Sequence, residues 1–497
     1  MDYSARPELT EARVTRASPA EASHIHRSGG VDALAIGSRS HGFPWIHSWL
    51  AGQLEASKPQ GAIASLDGVR AFACLTVVGY HISLAARDMG LWTLTDNPLL
   101  TSFLLAGGAG VTLFFVLSGL LLFLPYAKAL LSEQPWPGTR LFYLRRALRI
   151  IPGYYFSLAV IVLLAQPQYL EPQRWKEFIL FPLFLMDSTQ ATFQQLNGPY
   201  WTLAIEWQFY LLLPWIALGI YFVARRVRSE KRLWVVVGCL LGLIGWGLFS
   251  RWWGSYFVAH PAETFLVPRG ILNVVLFFTY GYSGKYLEDF AIGMLIGLGY
   301  TSLRDPAARA KLGLRLRQVS PGCWTGGILL LLFMAMQHYT LEYGYIWPVL
   351  PALFTMPGWL LELGFSLGFG LCIVAIIFGS AWLRILFAWT PLRWIGLISY
   401  SMYMWHLPLL GTFIHHIGPS VSGLPPLIAY ASFWGWVAVV IIPFSFLLYV
   451  LIEKPGIRLS DRLRGQMAAW QTRASVTKKL ARLDNGSGVQ QEIEAYP

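Results

Sequence analysis

The segment LLAGGAGVTLFFVLSGLLLFL, residues 104–124, contains no charged side chain. A helix of this length extends about 30 Å, which is the thickness of the hydrocarbon core of a bilayer. Similar apolar runs recur from residue 69 to residue 452, with no long polar stretch between them. This segment and the similar apolar runs therefore predict an all-α fold, a single polytopic bundle of transmembrane helices.

The composition agrees with a protein that lies mostly in lipid. The chain has 497 residues, of which 55% are hydrophobic and only 13% are charged, whereas soluble domains carry about 25% charged residues. The net charge of +12 comes largely from short loops and tails, as membrane topology requires, so nucleic acid is not an expected partner. The four cysteines show no CxxC spacing, which indicates neither a metal site nor a disulfide framework.

The positive-inside rule sets the number of spans. The apolar runs are 69–87, 104–124, 150–166, 200–223, 233–251, 267–283, 287–302, 323–339, part of 347–379, 394–416 and 427–452. The basic loops 140–149, 225–232 and 304–317 share the cytoplasmic side only if 267–283 and 287–302 do not both cross fully. The pattern thus predicts about ten spans with both termini cytoplasmic.

The chain divides into three parts. Residues 1–64 are polar and lack the apolar core of a signal peptide, which predicts a disordered cytoplasmic tail. Residues 65–455 form the predicted membrane domain, and 456–497 a basic cytoplasmic tail. Within that tail, 458–483 is loosely amphipathic and is expected to lie on the anionic membrane face, with a disordered tail as the alternative.

Two ionisable side chains deep inside predicted spans, His81 and Glu206, are the first candidates for function, because such groups are costly in lipid. Arg70 and His81 lie in LDGVRAFACLTVVGYH (66–81), eleven residues apart, or about 16 Å along a helix. Glu206 is the carboxylate of the run 200–223. The spans of His81 and Glu206 run in opposite directions, and each residue lies about six residues from the outer end of its own span, so the two are expected at similar depth in the membrane. The alternatives are a packing histidine and a glutamate that only neutralises an arginine.

Two further motifs carry polar side chains at helical spacing. In RRALRIIP (145–152), Arg146 and Arg149 share one helix face and, with Arg70, could bind phosphate groups; the alternative is a plain topology signal. IGLISYSMYMWH (395–406) aligns the side chains of Ser399, Tyr403 and His406 on one face, for which hydrogen bonding between helices is the alternative.

Together these segments resemble the integral-membrane acyltransferase 3 family, which includes bacterial O-acetylases of surface polysaccharides and macrolide acyltransferases. The resemblance covers residues 66–455. It rests on the Arg-x10-His pattern of Arg70 and His81, FFVLSG (114–119), the Arg-x-x-Arg of Arg146 and Arg149, WTLAIEWQFY (201–210), SYSMYMWH (399–406) and EKP (453–455). The family is generally drawn with ten spans.

The resemblance implies a multi-pass enzyme of the bacterial inner membrane. It would transfer an acyl group, usually acetyl from acetyl-CoA, to a hydroxyl of a carbohydrate, a lipid-linked glycan or a macrolide-like acceptor, without a metal. The site residues expected on this basis are Arg70, Arg146 and Arg149 for the acyl-CoA phosphates, His81 as general base or acyl carrier, Glu206 to orient His81, and Tyr210, Ser399, Tyr403 and His406 in support.

Two other classes of function remain open at this point. A bundle with buried His, Glu and Arg also describes a proton-coupled carrier or flippase. A non-catalytic scaffold for polysaccharide assembly is the third reading. Arginines clustered at one face beside a deeper histidine suit the use of acyl-CoA better than they suit a carrier.

Overall fold

The computed structural model describes residues 64–92, 96–132, 134–303, 306–343, 357–379 and 381–467. Over these ranges the chain is helical and forms no strand. The principal helices are α1 Ala64–Asp88, α2 Pro98–Ala106, α3 Gly110–Leu131, α4 Thr139–Leu164, α5 Tyr200–Ala224, α6 Ser229–Ala259, α7 Arg269–Thr279, α8 Leu287–Ser302, α9 Pro306–Tyr343, α10 Gly358–Phe378, α11 Ala381–Ala388, α12 Thr390–His416 and α13 Pro426–Met467. The predicted tail 1–64 lies outside the described residues except for Ala64, as does everything after residue 467.

Eight helices of the described chain are long and apolar enough to cross a membrane, with α2 and α3 counted as one unit. They make this a multi-pass membrane protein. Two further helices are not among these eight. Helix α12 has 27 residues but is less apolar, and helix α8 has only 16 residues. The number of ten spans and the cytoplasmic termini therefore stay predictions.

The apolar pair 267–283 and 287–302 becomes the helices α7 and α8. Helix α7 has only 11 residues, so its length of about 16 Å cannot cover the hydrocarbon core. This agrees with the prediction that the two runs do not both cross fully. Helix α8 is instead a core element, because most of its side chains are buried against α3 and α6.

Helix α4 begins at Thr139, earlier than the predicted span 150–166. The basic stretch 140–149, expected as a loop, is therefore helical. Arg146 and Arg149 lie on this helix three residues apart, so their side chains share one face.

Helix α1 packs closely against α12 and against the start of α3. A Cβ atom at Gly396 of α12 would overlap the carbonyl oxygen of Asp67, and one at Gly110 would meet the carbonyl oxygen of Ala73 at 2.5 Å. Small residues let helix backbones approach in this way within membranes. The packing fixes the depth and rotation of α1, and with them the positions of Arg70 and His81.

Helices α3 and α8 use glycine in the same manner. A Cβ atom at Gly293 would overlap the carbonyl oxygen of Val116, and one at Gly119 would overlap that of Phe290. The two backbones are thus in direct contact.

We expect Gly293→Ala to lower the free energy of unfolding by about 2 kcal/mol, because overpacking forces packed helices apart. Gly299→Ala is the matched control, since a Cβ atom at this position of α8 meets nothing within 4 Å. The midpoint of thermal unfolding in detergent, followed by tryptophan fluorescence, measures both. Equal midpoints for the two variants would contradict direct backbone contact.

Candidate functional site

Three arginines of α1 and α4 line a cavity of about 80 Å³. We call it the arginine cavity; its walls include Arg70, Arg146, Arg149, Glu206 and Tyr210. Among the described residues, no carboxylate lies within 4.0 Å of any of these three guanidinium groups. The structure therefore brings together the three arginines that the sequence predicted, and leaves their charge available to an anion.

Glu206 lies in the arginine cavity and is held by two hydroxyl groups. The Oγ of Ser118 and the hydroxyl of Tyr210 each donate a hydrogen bond of 2.5 Å to its Oε1. The guanidinium carbon of Arg146 lies 6.0 Å from the centroid of the Tyr210 ring, within range of a cation–π contact. Glu206 thus belongs to a chain of contacts that leads from α3 to an arginine.

His81 lines a second cavity, of about 590 Å³, which we call the histidine cavity. Its walls also include Tyr80, Trp201, Tyr286 and Glu362. Within the described chain, the side chain of Glu206 bonds to residues of the arginine cavity and makes no hydrogen bond to His81. The two residues line different cavities, so the expected orientation of His81 by Glu206 has no direct contact to support it.

The partner of His81 is instead His406. The Nδ1 of His81 lies 3.2 Å from the Nε2 of His406 and 2.9 Å from the carbonyl oxygen of Val77. The Nδ1 of His406 lies 2.7 Å from the carbonyl oxygen of Tyr403, so this nitrogen carries a proton and donates it. In a neutral His406 the Nε2 then accepts from the Nδ1–H of His81. This arrangement leaves the lone pair of His81 on its Nε2, the nitrogen that a general base would use.

Val111 and Tyr403 line both cavities and so form a shared wall between them. The hydroxyl of Tyr403 lies 2.7 Å from the Oγ1 of Thr202, which ties α12 to α5 at this wall. Ser399 lines the arginine cavity, and its Oγ donates to the carbonyl oxygen of Gly396. The predicted polar stripe of α12 therefore runs from one cavity, along the wall, to His406.

Several residues of the two cavities were not singled out by the sequence. Ser118 belongs to FFVLSG (114–119), a motif that supports the family resemblance but that gave no role to the hydroxyl of Ser118. Glu362 lies within the apolar run 347–379, and a carboxylate there is itself a signal of function. Tyr286 could not have been found in this way, because nothing in its sequence surroundings distinguishes it from an aromatic residue at the membrane interface.

A family model for an acyltransferase domain, that of the acyltransferase 3 family, matches residues 63–450 and so includes the residues of both cavities. The chain belongs to this acyltransferase family. The resemblance found in the sequence motifs is thereby confirmed. No solved structure matches the chain.

Curated relatives of this acyltransferase come from bacteria. The chain is 28% identical to the peptidoglycan O-acetyltransferase OatA of Listeria monocytogenes, over 70% of this chain and 49% of that protein. It is 27% identical to YrhL of Bacillus subtilis, named as a candidate peptidoglycan O-acetyltransferase, over 84% of this chain and 59% of that protein. The acyltransferase thus spans about half to three fifths of the length of these relatives.

The contact between the two histidines makes a spectroscopic prediction. In ¹⁵N NMR spectra of histidine-labelled protein in lipid, His81 and His406 should both carry a proton on Nδ1. His406→Phe removes one of the two acceptors and leaves the carbonyl oxygen of Val77, so the Nδ1 signal of His81 should move while the proton stays on Nδ1. The spectrum of His81→Asn assigns that signal. A proton on the Nε2 of His81 would contradict the hydrogen-bond pattern.

Proposed function

We propose that this acyltransferase moves an acetyl group from acetyl-CoA to a hydroxyl group of a carbohydrate at the other face of the membrane. One observation carries the proposal: a cavity with three arginines that lack a carboxylate partner among the described residues shares a wall with the cavity of His81. The names of the relatives, which are O-acetyltransferases, support acetyl and a carbohydrate acceptor. Their bacterial origin supports the bacterial inner membrane.

The arginine cavity is suited to the donor. Coenzyme A is a polyanion with a long, thin arm that ends in the thioester. Arg70, Arg146 and Arg149 can bind its phosphates through paired N–H groups, which recognise phosphate oxygens better than a single ammonium does. The arm then extends along the cavity toward the wall formed by Val111 and Tyr403.

Glu206 acts on the donor side in this proposal. Its carboxylate accepts from Tyr210, whose ring faces Arg146, so it fixes the position of an arginine through one intermediate residue. It also supplies negative charge among three guanidinium groups, which lowers their mutual repulsion while no anion is bound. Glu206 is therefore a positioning residue for the phosphate site.

His81 acts as the general base. Its Nε2 accepts the proton of the acceptor hydroxyl while the oxygen attacks the thioester carbonyl carbon. The tetrahedral intermediate collapses, the carbon–sulfur bond breaks, and the thiolate takes the proton from His81 to give free coenzyme A. His406, together with the carbonyl oxygen of Val77, keeps the imidazole of His81 in the required tautomer, as the third member of a catalytic triad does. Acyl transfer by way of His81 itself is the second route that the residues allow.

We expect Arg146→Gln and Arg149→Gln each to raise the Kd for coenzyme A about tenfold or more, since each removes charge-assisted hydrogen bonds to phosphate. Arg145→Gln is the matched control, because this neighbouring arginine lies 3.9 Å from the Oδ1 of Asp461 and does not line the cavity. Calorimetric titration of the protein in nanodiscs measures the three constants.

The same titration separates the enzyme from its rival. If the wild-type protein has no affinity for coenzyme A and vesicles containing it take up solute in a protonophore-sensitive way, the chain is a proton-coupled carrier or flippase. If all three arginine variants bind coenzyme A alike, the phosphate site lies elsewhere.

For catalysis, we expect His81→Gln to lower kcat at least about 100-fold, because the general base is lost. His406→Phe should lower kcat about tenfold and leave the KM for acetyl-CoA unchanged, since it removes only one of the two acceptors that hold the imidazole of His81. In His406→Gln, the side-chain carbonyl can accept the same hydrogen bond and should restore part of the rate. Release of the coenzyme A thiol measures all three, and full activity in folded, membrane-inserted His81→Gln would remove His81 from the mechanism.

A further inference from the structure

Glu362 carries a charge in the histidine cavity that the proposed transfer does not use. Its Oε2 accepts a hydrogen bond of 2.9 Å from the Oγ1 of Thr112. In the described part of the chain no Lys, Arg or His nitrogen lies within 4.0 Å of its carboxylate. A carboxylate within a membrane domain that lacks an ion-pair partner and faces a cavity is costly unless the cavity or its ligand solvates it.

An aromatic wall stands in the same cavity. The ring centroids of Trp201 and Tyr286 lie 5.8 Å apart, and both side chains line the space that Glu362 faces. The guanidinium carbon of Arg251 lies 4.5 Å from the centroid of Tyr286, and Arg251 is itself held by a buried ion pair of 2.9 Å with Glu288. The ring of Tyr286 is therefore fixed by a neighbour that cannot easily move.

The backbone of Tyr286 is held in an unusual conformation. Its φ is +53°, in the left-handed region that a bulky residue rarely adopts. Such strain persists where the surrounding contacts determine it, and it is common in sites that bind ligands. The aromatic wall is thus preorganised, which lowers the entropy lost when a ligand binds to it.

We infer that Glu362 and the wall of Trp201 and Tyr286 form the acceptor subsite, which binds one neutral sugar ring next to His81. The aromatic rings stack on the C–H face of the sugar, and the carboxylate accepts hydrogen bonds from its hydroxyl groups. The inference rests on the proposed function and deepens it by naming the substrate class.

The charge of Glu362 adds a selectivity. A sugar that carries a carboxylate would bring a second negative charge into a cavity of low dielectric constant, where repulsion is strong. The subsite should therefore prefer neutral sugars over acidic ones. A residue that only stabilised the fold would not produce this preference.

The test uses the full chain in nanodiscs with acetyl-CoA and two matched probes, the neutral tetra-N-acetylchitotetraose and the acidic hyaluronan tetrasaccharide. Acetylated saccharide is quantified by mass spectrometry. For the wild-type protein, the KM of the neutral probe should be at least about tenfold lower than that of the acidic probe.

Glu362→Gln should raise the KM of the neutral probe about tenfold, because hydrogen bonds to a charged acceptor are lost. It should not raise the KM of the acidic probe, so the ratio of the KM of the acidic probe to that of the neutral probe falls to near one. The Kd for coenzyme A should be unchanged. Glu171→Gln, in an exposed position of the segment between α4 and α5, is the matched control and should change neither constant. Trp201→Leu should raise the KM of both probes and keep their ratio.

The inference is overturned if Glu362→Gln keeps the wild-type preference, or if the wild-type protein acetylates both probes equally well or acetylates neither. Should Glu362→Gln fail to fold, the ratio of the two KM values in the wild-type protein and the behaviour of Trp201→Leu decide in its place. Unchanged KM values in Trp201→Leu also overturn the inference. A wild-type protein that binds coenzyme A but acetylates no saccharide refutes this inference alone. One that binds no coenzyme A refutes the proposed function.

Discussion

The close contact of helix backbones around α1 is the constraint on which the rest of the structure depends. Glycines at positions 110 and 396 let α3 and α12 approach the carbonyl groups of this helix directly. A helix held on both sides can neither rotate nor slide, so Arg70 and His81 stay at fixed depths. Both cavities border this helix, since Arg70 lines one and His81 lines the other.

The balance of charge differs between the two cavities. One contains three guanidinium groups near a single glutamate that is already engaged by Ser118 and Tyr210. The other is lined by His81, which contacts the buried His406, and by the carboxylate of Glu362. In the proposed reaction, the positive cavity would favour an anionic donor and the other would disfavour an anionic acceptor, so opposite potentials along one path would keep the two substrates in their own compartments.

Much of this arrangement could be predicted from the sequence, for a physical reason. Apolar runs report burial within lipid or within the bundle, and an ionisable residue within such a run is rare enough to be noticed. Arg70, Arg146 and Arg149 were therefore found and correctly grouped, because all three lie near the same end of their helices. Depth along a helix follows from counting residues.

The direction of a side chain around its helix is harder to predict, because it depends on which helices are neighbours. His81 and Glu206 have similar depths by counting, yet one meets His406 and the other meets Ser118 and Tyr210. Glu362 was missed because the run that contains it was read for its apolar character alone. Tyr286 owes its position to a strained turn before α8, which no periodicity reports.

The shared wall of Val111 and Tyr403 has a consequence for the cell as well as for the reaction. An enzyme that joins a cytoplasmic donor to an external acceptor through an open passage would let protons and ions leak along the same route. Here the two spaces meet at the wall of Val111 and Tyr403, and the hydrogen bond between Tyr403 and Thr202 braces that wall. In the proposed reaction the thioester must pass this wall, so a barrier one residue thick would limit the leak of ions to the time when the thioester arm displaces it.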